Sequence, residues 1–206
     1  MKVKVVETEI SNLASVKAGL RRAGGDVEMA RSMTDLEDAE AVVLPGVGAF
    51  RPAMERLRAI GLAEGVRQLV LHAAEGRGPR VLAVCLGYQL LGSGSEEAAD
   101  TLGLQVHDGR FYGIRASSEI RVPHLGWNRV HAADGPFVRD GDAYFAHSYA
   151  LNDPPAGWHA STVEHGGRMV AALEKGRVLG TQFHPELSGA WGRSLLERWL
   201  KGELAC

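Results

Sequence analysis

The chain has 206 residues, with 23 lysines and arginines against 25 aspartates and glutamates, so its formal net charge is −2. That balance argues against bulk nucleic-acid binding, which needs a basic face to displace counterions, and against attachment to a membrane through a polybasic surface. A hydrophobic fraction of 45% and a charged fraction of 23% are those of a globular protein. A chain of this length is expected to form one domain over residues 1–206, with no need of a disulfide or metal staple.

The two cysteines, Cys85 and Cys206, are not a disulfide framework, and reduced thiols point to a cytoplasmic setting. The first apolar run is broken by Glu7 and Glu9 and lacks the length and cleavage site of a signal peptide. Nothing approaches 18 unbroken apolar residues, so no membrane span is expected. No histidine or cysteine cluster has zinc-like spacing, so neither a metal nor a cofactor is expected.

In chain order, the apolar run at residues 3–6 reads as a buried strand. Residues 12–23 follow with Leu13, Val16 and Leu20 at helical spacing, stopped by Gly24-Gly25. Strands are predicted at 27–30 and 41–44, the latter ended by Pro45-Gly46. Helical patterns run through 54–57 and 66–72. A fourth strand at 81–84 leads into a helix at 86–91. This alternation is the signature of a parallel sheet with helices on its faces. The second half reads as successive strands at 105–111, 119–122, 143–149, 158–163, 169–173 and 178–183. Hairpin turns are signalled at Gly166-Gly167 and Lys175-Gly176. A closing helix at 191–200 carries Leu195, Leu196 and Trp199 on one face. The expected fold is therefore α/β, with a mostly parallel central sheet, helices on both faces and antiparallel additions.

Cys85 stands between an apolar strand and a helix, in Leu82-Ala83-Val84-Cys85-Leu86-Gly87. A sharp strand-to-helix turn pushes its central side chain out above the sheet, which is the geometry of a nucleophile elbow. The start of a helix favours the thiolate. A buried structural cysteine is the competing reading of this residue alone. A second feature is Gln182-Phe183-His184-Pro185-Glu186. In an extended segment residues two apart share a side, so Glu186 can orient His184. Cysteine, histidine and carboxylate are the parts of an activated-thiol triad. A third is Pro45-Gly46-Val47-Gly48, whose glycines let backbone N–H groups face a cleft. Attack on a carbonyl develops an oxyanion that needs such donors, and the Leu86 N–H, just after Cys85, is the natural second one; a simple strand-to-helix turn is the competing reading. His124 and His147 are scattered, and lone histidines are more often structural.

These motifs resemble the class I, or triad-type, glutamine amidotransferases. The segments Pro123-His124-Leu125-Gly126-Trp127-Asn128 and Tyr144-Phe145-Ala146-His147-Ser148-Tyr149 narrow the likeness to the glutaminase subunits of imidazole glycerol phosphate synthases. The resemblance covers nearly the whole chain and implies the three-layer amidotransferase fold. It implies Cys85 as nucleophile, His184 as base, Glu186 as its orienter, and Gly48 and Leu86 as oxyanion donors. Gln89, Glu97, Ser148 and Tyr149 match glutamine-binding positions. The implied partner is a (β/α)8-barrel cyclase subunit in a heterodimer, with His124, Trp127 and Asn128 as candidate contacts. That partner takes the ammonia and makes imidazole glycerol phosphate and an aminoimidazole carboxamide ribotide in histidine biosynthesis. Two stretches depart from the family pattern. Thr8-Glu9-Ile10-Ser11-Asn12 keeps only Asn12 of the usual Tyr-Gly-x-Gly-Asn, and Leu187 stands where lysine usually follows His-Pro-Glu. Other class I amidotransferases share the triad without the Pro-His-x-Gly-Trp-Asn segment. A non-catalytic scaffold is disfavoured by the intact triad, and a free-standing cysteine hydrolase by the Gln89, Glu97, Ser148 and Tyr149 set.

Overall fold

The computed structural model describes residues 1–7 and 13–202; the divergent stretch at 8–12 and Cys206 lie outside the described residues. The first half alternates as its sequence demands. Strand β1 (Lys2–Val6) is followed by α1 (Leu13–Arg22), β2 (Asp26–Ala30), β3 (Ala41–Leu44), α2 (Phe50–Ala59), α3 (Ala63–Ala74), β4 (Arg80–Val84) and α4 (Leu86–Leu90). The second half is mainly strand: β5 (Gly94–Ser95), β6 (Ala98–Leu102), β7 (Arg110–Gly113), β8 (His124–Val130), β9 (Gly141–His147), β10 (Tyr149–Ala150), β11 (His159–Glu164), β12 (Arg168–Lys175) and β13 (Val178–Thr181). Helix α5 (Gly189–Lys201) closes the described chain.

Seven strands form the central sheet in the order β11-β12-β13-β4-β3-β1-β2. Five of them, from β13 to β2, are parallel, and the β11–β12–β13 edge is antiparallel. The pleat sends alternate side chains to opposite faces. Val43, Leu82 and Val84 therefore join a cluster with Val16 and Leu20 of α1 and Leu195, Leu196 and Trp199 of α5. Val42, Leu44, Val81 and Ala83 join the opposite cluster, with Phe50, Met54 and Leu57 of α2 and Val66 and Val70 of α3. A strand covered on both faces must be apolar throughout, which is why β3 reads Ala-Val-Val-Leu. Two smaller sheets stand beside the main one, β10-β7-β5-β6 and the β8–β9 hairpin. Among the described residues no helix is long and apolar enough to cross a membrane.

The structure differs from the sequence reading in the connecting region. Residues 105–109 are not strand. Their backbone instead folds under the end of α4, with the N–H groups of Leu104, Gln105 and Val106 on the carbonyls of Leu90, Gly92 and Leu91. Residues 119–122 are bends and irregular chain rather than strand. Conversely, β6 and β8 lie in stretches where the sequence reading places no strand. β8 holds because it pairs with β9 over seven residues, from His124 opposite His147 to Val130 opposite Gly141.

Trp199 is fully buried at the centre of the α5-side cluster. Truncation there removes a large apolar surface and leaves a cavity. We expect Trp199→Ala to lose about 3–5 kcal/mol of unfolding free energy. In urea unfolding this appears as a lower midpoint at unchanged slope; a loss under about 1 kcal/mol would contradict the packing described.

Candidate active site

The C-terminal edges of β3, β4 and β13 are neighbours, and the chain leaving each carries one of the three motifs. The parallel register sets Thr181 of β13 opposite Val84 of β4. The next residue, Cys85, donates its N–H to the Thr181 carbonyl at 2.7 Å. Cys85 is then turned by φ 51° and ψ −108° into α4. A non-glycine residue takes such angles only where its surroundings enforce them, at about 1–3 kcal/mol. Gly87 follows because a Cβ there would run into the Leu44 carbonyl of the adjacent strand. The result aims Sγ along the sheet edge, 6% of the residue being exposed. Its polar neighbours are the Ala146 carbonyl at 3.8 Å and the Gln182 side-chain amide, whose Nε2 donates to Sγ at 3.7 Å.

His184 leaves β13 on the same edge. Its N–H is held by the Tyr144 carbonyl at 2.9 Å, and its carbonyl accepts from Ser188 Oγ at 2.6 Å. Its Nδ1 lies 2.9 Å from Glu186 Oε1, with each side chain 5% exposed. Glu186 reaches it from a short 3-10 turn, Pro185–Leu187, rather than from extended chain. Helix α1 closes over this turn at Gly19, where a Cβ would lie 2.7 Å from that of Glu186. Burial alone would keep His184 neutral. Hydrogen bonds to Cys85 and Glu186 and the attraction of both outweigh it and raise the histidine to about 10. With Nδ1 on the carboxylate, Nε2 is the nitrogen left to serve the thiol.

A cavity of about 240 Å³ opens in front of Sγ, bounded by Gly48, Gln89, Glu97, Leu125, Ser148 and Tyr149 among others. It gathers all four positions expected to bind substrate. Gln89 Nε2 donates to the Tyr149 carbonyl at 3.1 Å and to Gln182 Oε1 at 3.2 Å. Both amide hydrogens are thereby used, and the Gln89 oxygen is left as the acceptor. Glu97 Oε2 accepts the Phe50 N–H at 3.2 Å, at the first turn of α2. A larger open cleft of about 750 Å³, bounded by Tyr112, Arg115, Gly167 and Arg168, contains none of these groups.

The Pro45–Gly48 loop packs tightly on the elbow: a Cβ on Gly46 would lie 2.6 Å from the Gly87 nitrogen. Gly48 takes φ +119°. In this conformation the Leu86 N–H donates to the Gly46 carbonyl at 3.2 Å, so this expected oxyanion donor is occupied within the loop. Of the expected partner contacts, Trp127 is 59% exposed and Asn128 half-buried, but His124 is 4% exposed. His124 is therefore not a surface contact; its side chain points inward from β8, against His147. The carriers of the site that the sequence reading missed are Gln182 and His147. Gln182 stands two residues before His184, yet its part follows only from strand pairing. Among the described residues no group of three His, Cys, Asp or Glu side chains is placed to hold a metal ion.

Comparison with known proteins places the chain in a family. The family profile "Glutamine amidotransferase class-I" matches residues 4–201. The chain is 38% identical to the "Imidazole glycerol phosphate synthase subunit HisH" of Synechococcus sp. (strain JA-2-3B'a(2-13)), over 100% of this chain and 95% of that protein. It is 39% identical to the HisH subunit of Halobacterium salinarum, over 96% of this chain and 92% of that protein. The Arabidopsis thaliana protein "Imidazole glycerol phosphate synthase hisHF, chloroplastic" is 35% identical over 98% of this chain, which spans 34% of that longer protein. A crystal structure of a glutamine amidotransferase shares the fold, with a TM-score of 0.76 at 20% identity over 97% of both chains.

The charge state of His184 is measurable. Its folded value lies above the ordinary 6.5. The charged form's contribution to stability is therefore complete below about 6.5 and is lost as the pH climbs through about 10. NMR of the ring should place its midpoint near the upper value, and Glu186→Gln should lower it. A midpoint below 7 in the unaltered chain would contradict the pairing.

Proposed function

The chain belongs to the class-I glutamine amidotransferase family, among its HisH members, and from that premise we propose how its residues release ammonia from glutamine for the synthase. The observation that carries the assignment is Cys85 at a strained elbow beside a buried His184–Glu186 pair. Cys85 is the nucleophile. Its thiolate attacks the side-chain carbonyl carbon of glutamine and the carbonyl electrons move onto oxygen. The His184 imidazolium gives its Nε2 proton to the departing nitrogen, and ammonia leaves as the glutamyl thioester forms. Neutral His184 then takes a proton from water, which attacks the thioester and frees glutamate. Glu186 holds the ring in the required orientation and balances its charge throughout.

The pocket suits the amino-acid end of glutamine. The Gln89 oxygen and the Glu97 carboxylate are acceptors for the substrate ammonium, and Ser148 and Tyr149 complete that end. The oxyanion donors are the Gly48 and Leu86 amides. The Leu86 amide must first leave the Gly46 carbonyl, and Gly48 supplies the backbone freedom for a peptide there to rotate. One missing donor costs about 10²–10³ in rate. A lone chain is thus a poor glutaminase, and a partner favours the active loop only by binding it more tightly.

The partner is the cyclase subunit, a (β/α)8 barrel that receives the ammonia in a heterodimer. Leu125 and Trp127 stand on the outer face of β8, two residues apart, 65% and 59% exposed. Leu187 is exposed as well, just before Gly189, at which the Trp127 ring ends. With leucine in place of lysine, this corner meets the partner through apolar contact rather than an ion pair.

Cys85→Ala should abolish glutamine hydrolysis, while an added ammonium salt still drives the cyclase reaction of the complex. His184→Ala should lose more activity than Glu186→Ala, and the double variant should lose no more than His184→Ala alone. Substantial glutaminase turnover by Cys85→Ala would overturn the assignment. The lone chain, the complex, and the complex with the cyclase's ribonucleotide should show rising turnover in that order; equal turnover in all three would remove the gating.

A further inference from the structure

Beside the pocket, a row of groups leads from β8 to the Tyr149 carbonyl, and no step above uses it. A carbonyl only accepts, so His147 Nδ1, 3.0 Å from it, carries a hydrogen. In a neutral ring the other nitrogen is then an acceptor. The hydrogen between His147 Nε2 and His124 Nδ1, 3.0 Å apart, therefore belongs to His124. His124 Nε2 must accept in turn, and Asn128 Nδ2 lies 3.2 Å from it. The orientation of that amide is fixed independently. Its oxygen accepts the Arg129 N–H at 2.7 Å, and its nitrogen donates to the Glu164 carbonyl at 2.9 Å. Both ends demand the same direction, Asn128 to His124 to His147 to Tyr149, with no choice of tautomer left.

The rings cannot turn to escape it. His124 is stacked between Phe145, at 4.5 Å and 19°, and His165, at 4.0 Å and 14°. His165 is itself tied by Nε2 to the Arg121 carbonyl at 2.9 Å. Burial keeps both rings of the row neutral. It takes His124 to about 3, helped by His147 and His165. It takes His147 to about 4 against the pull of the Tyr149 carbonyl, with His165 and His184 acting in the same sense as burial.

We infer that Asn128, His124 and His147 are positioning residues that hold the Tyr149 carbonyl and, through it, the orientation of the Gln89 amide toward substrate. The inference rests on the reading of the pocket given above. The Tyr149 carbonyl takes one Gln89 hydrogen and Gln182 takes the other, which turns the Gln89 oxygen to the ligand. A carbonyl freed from His147 lets that amide turn over and present N–H to an ammonium. The loss should therefore fall on glutamine binding. Asn128 shares its strand with exposed Leu125 and Trp127, so the row also joins the outer face of β8 to the pocket.

The test has a spectroscopic and a kinetic arm. In the ¹⁵N-labelled full chain both rings should be neutral and protonated on Nδ1 from about pH 6 to 8. Asn128→Asp keeps the shape and the Arg129 contact but loses the donor. His124 Nε2 should then acquire a hydrogen. KM for glutamine in the complex with the cyclase should rise about tenfold, with kcat changed less than about threefold. His147→Asn keeps an N–H near the Nδ1 position and should recover most of the KM that His147→Leu loses. Nε2-protonated or charged rings in the unaltered chain would overturn the inference. So would an unchanged KM in folded Asn128→Asp and His147→Leu complexes. If the unaltered complex hydrolyses no glutamine, the reading of the pocket fails instead, and the ring tautomers alone still decide the row.

Discussion

The parallel pairing of β4 with β13 is the constraint on which the site depends. Four register pairs, ending at Val84 and Thr181, bring together two stretches nearly a hundred residues apart. Once Thr181 holds the Cys85 N–H, the thiol and the segment 182–184 share one sheet edge. The third participant, the 45–48 loop, arrives on β3, the other neighbour of β4. Open parallel sheets offer their ligand crevice at the carboxyl ends of adjacent strands, and here three consecutive strand ends bring Cys85, His184 and the 45–48 loop to one crevice. The apolar, two-sided burial of these strands resists a slip of one residue, because every side chain would change face.

The same residue type serves two opposite ends within this small region. His184 and His147 are both buried. His184 lies between a thiol and a carboxylate, and these reverse the effect of burial and favour the imidazolium. His147 has a backbone carbonyl on one side and a second imidazole on the other, and burial wins. A cationic ring can give up a proton. Neutral rings are needed where hydrogen bonds must keep one direction. Neighbouring groups, rather than sequence position, decide which histidine is which.

Much of this was legible in the sequence because it is local. The elbow follows from an apolar run ending in Cys-Leu-Gly, and the buried His184–Glu186 pair from His-Pro-Glu after a second apolar run. The two-sided sheet follows from strands such as Ala-Val-Val-Leu. What the sequence concealed depends on pairing. β8 is obscured by Pro123, Gly126 and Asn128, whose turn-forming character is overridden by the ladder to β9. The resemblance implies His124 as a partner contact, yet the alternation of β8 turns it inward and leaves Leu125 and Trp127 outside. Gln182 carries no signal of its own, since its contacts with Cys85 and Gln89 exist only after β13 joins β4. Residues 105–109 have the composition of a strand but find their hydrogen bonds in the turn after α4.

The most direct test of the account is covalent capture by a glutamine-shaped electrophile, one whose side-chain amide is replaced by a reactive ketone. The unaltered chain contains two thiols, Cys85 and Cys206. Peptide mass analysis after reaction should find the label on Cys85 alone, and excess glutamine should prevent it. Labelling confined to Cys206, or labelling of Cys85 that glutamine does not slow, would contradict the account.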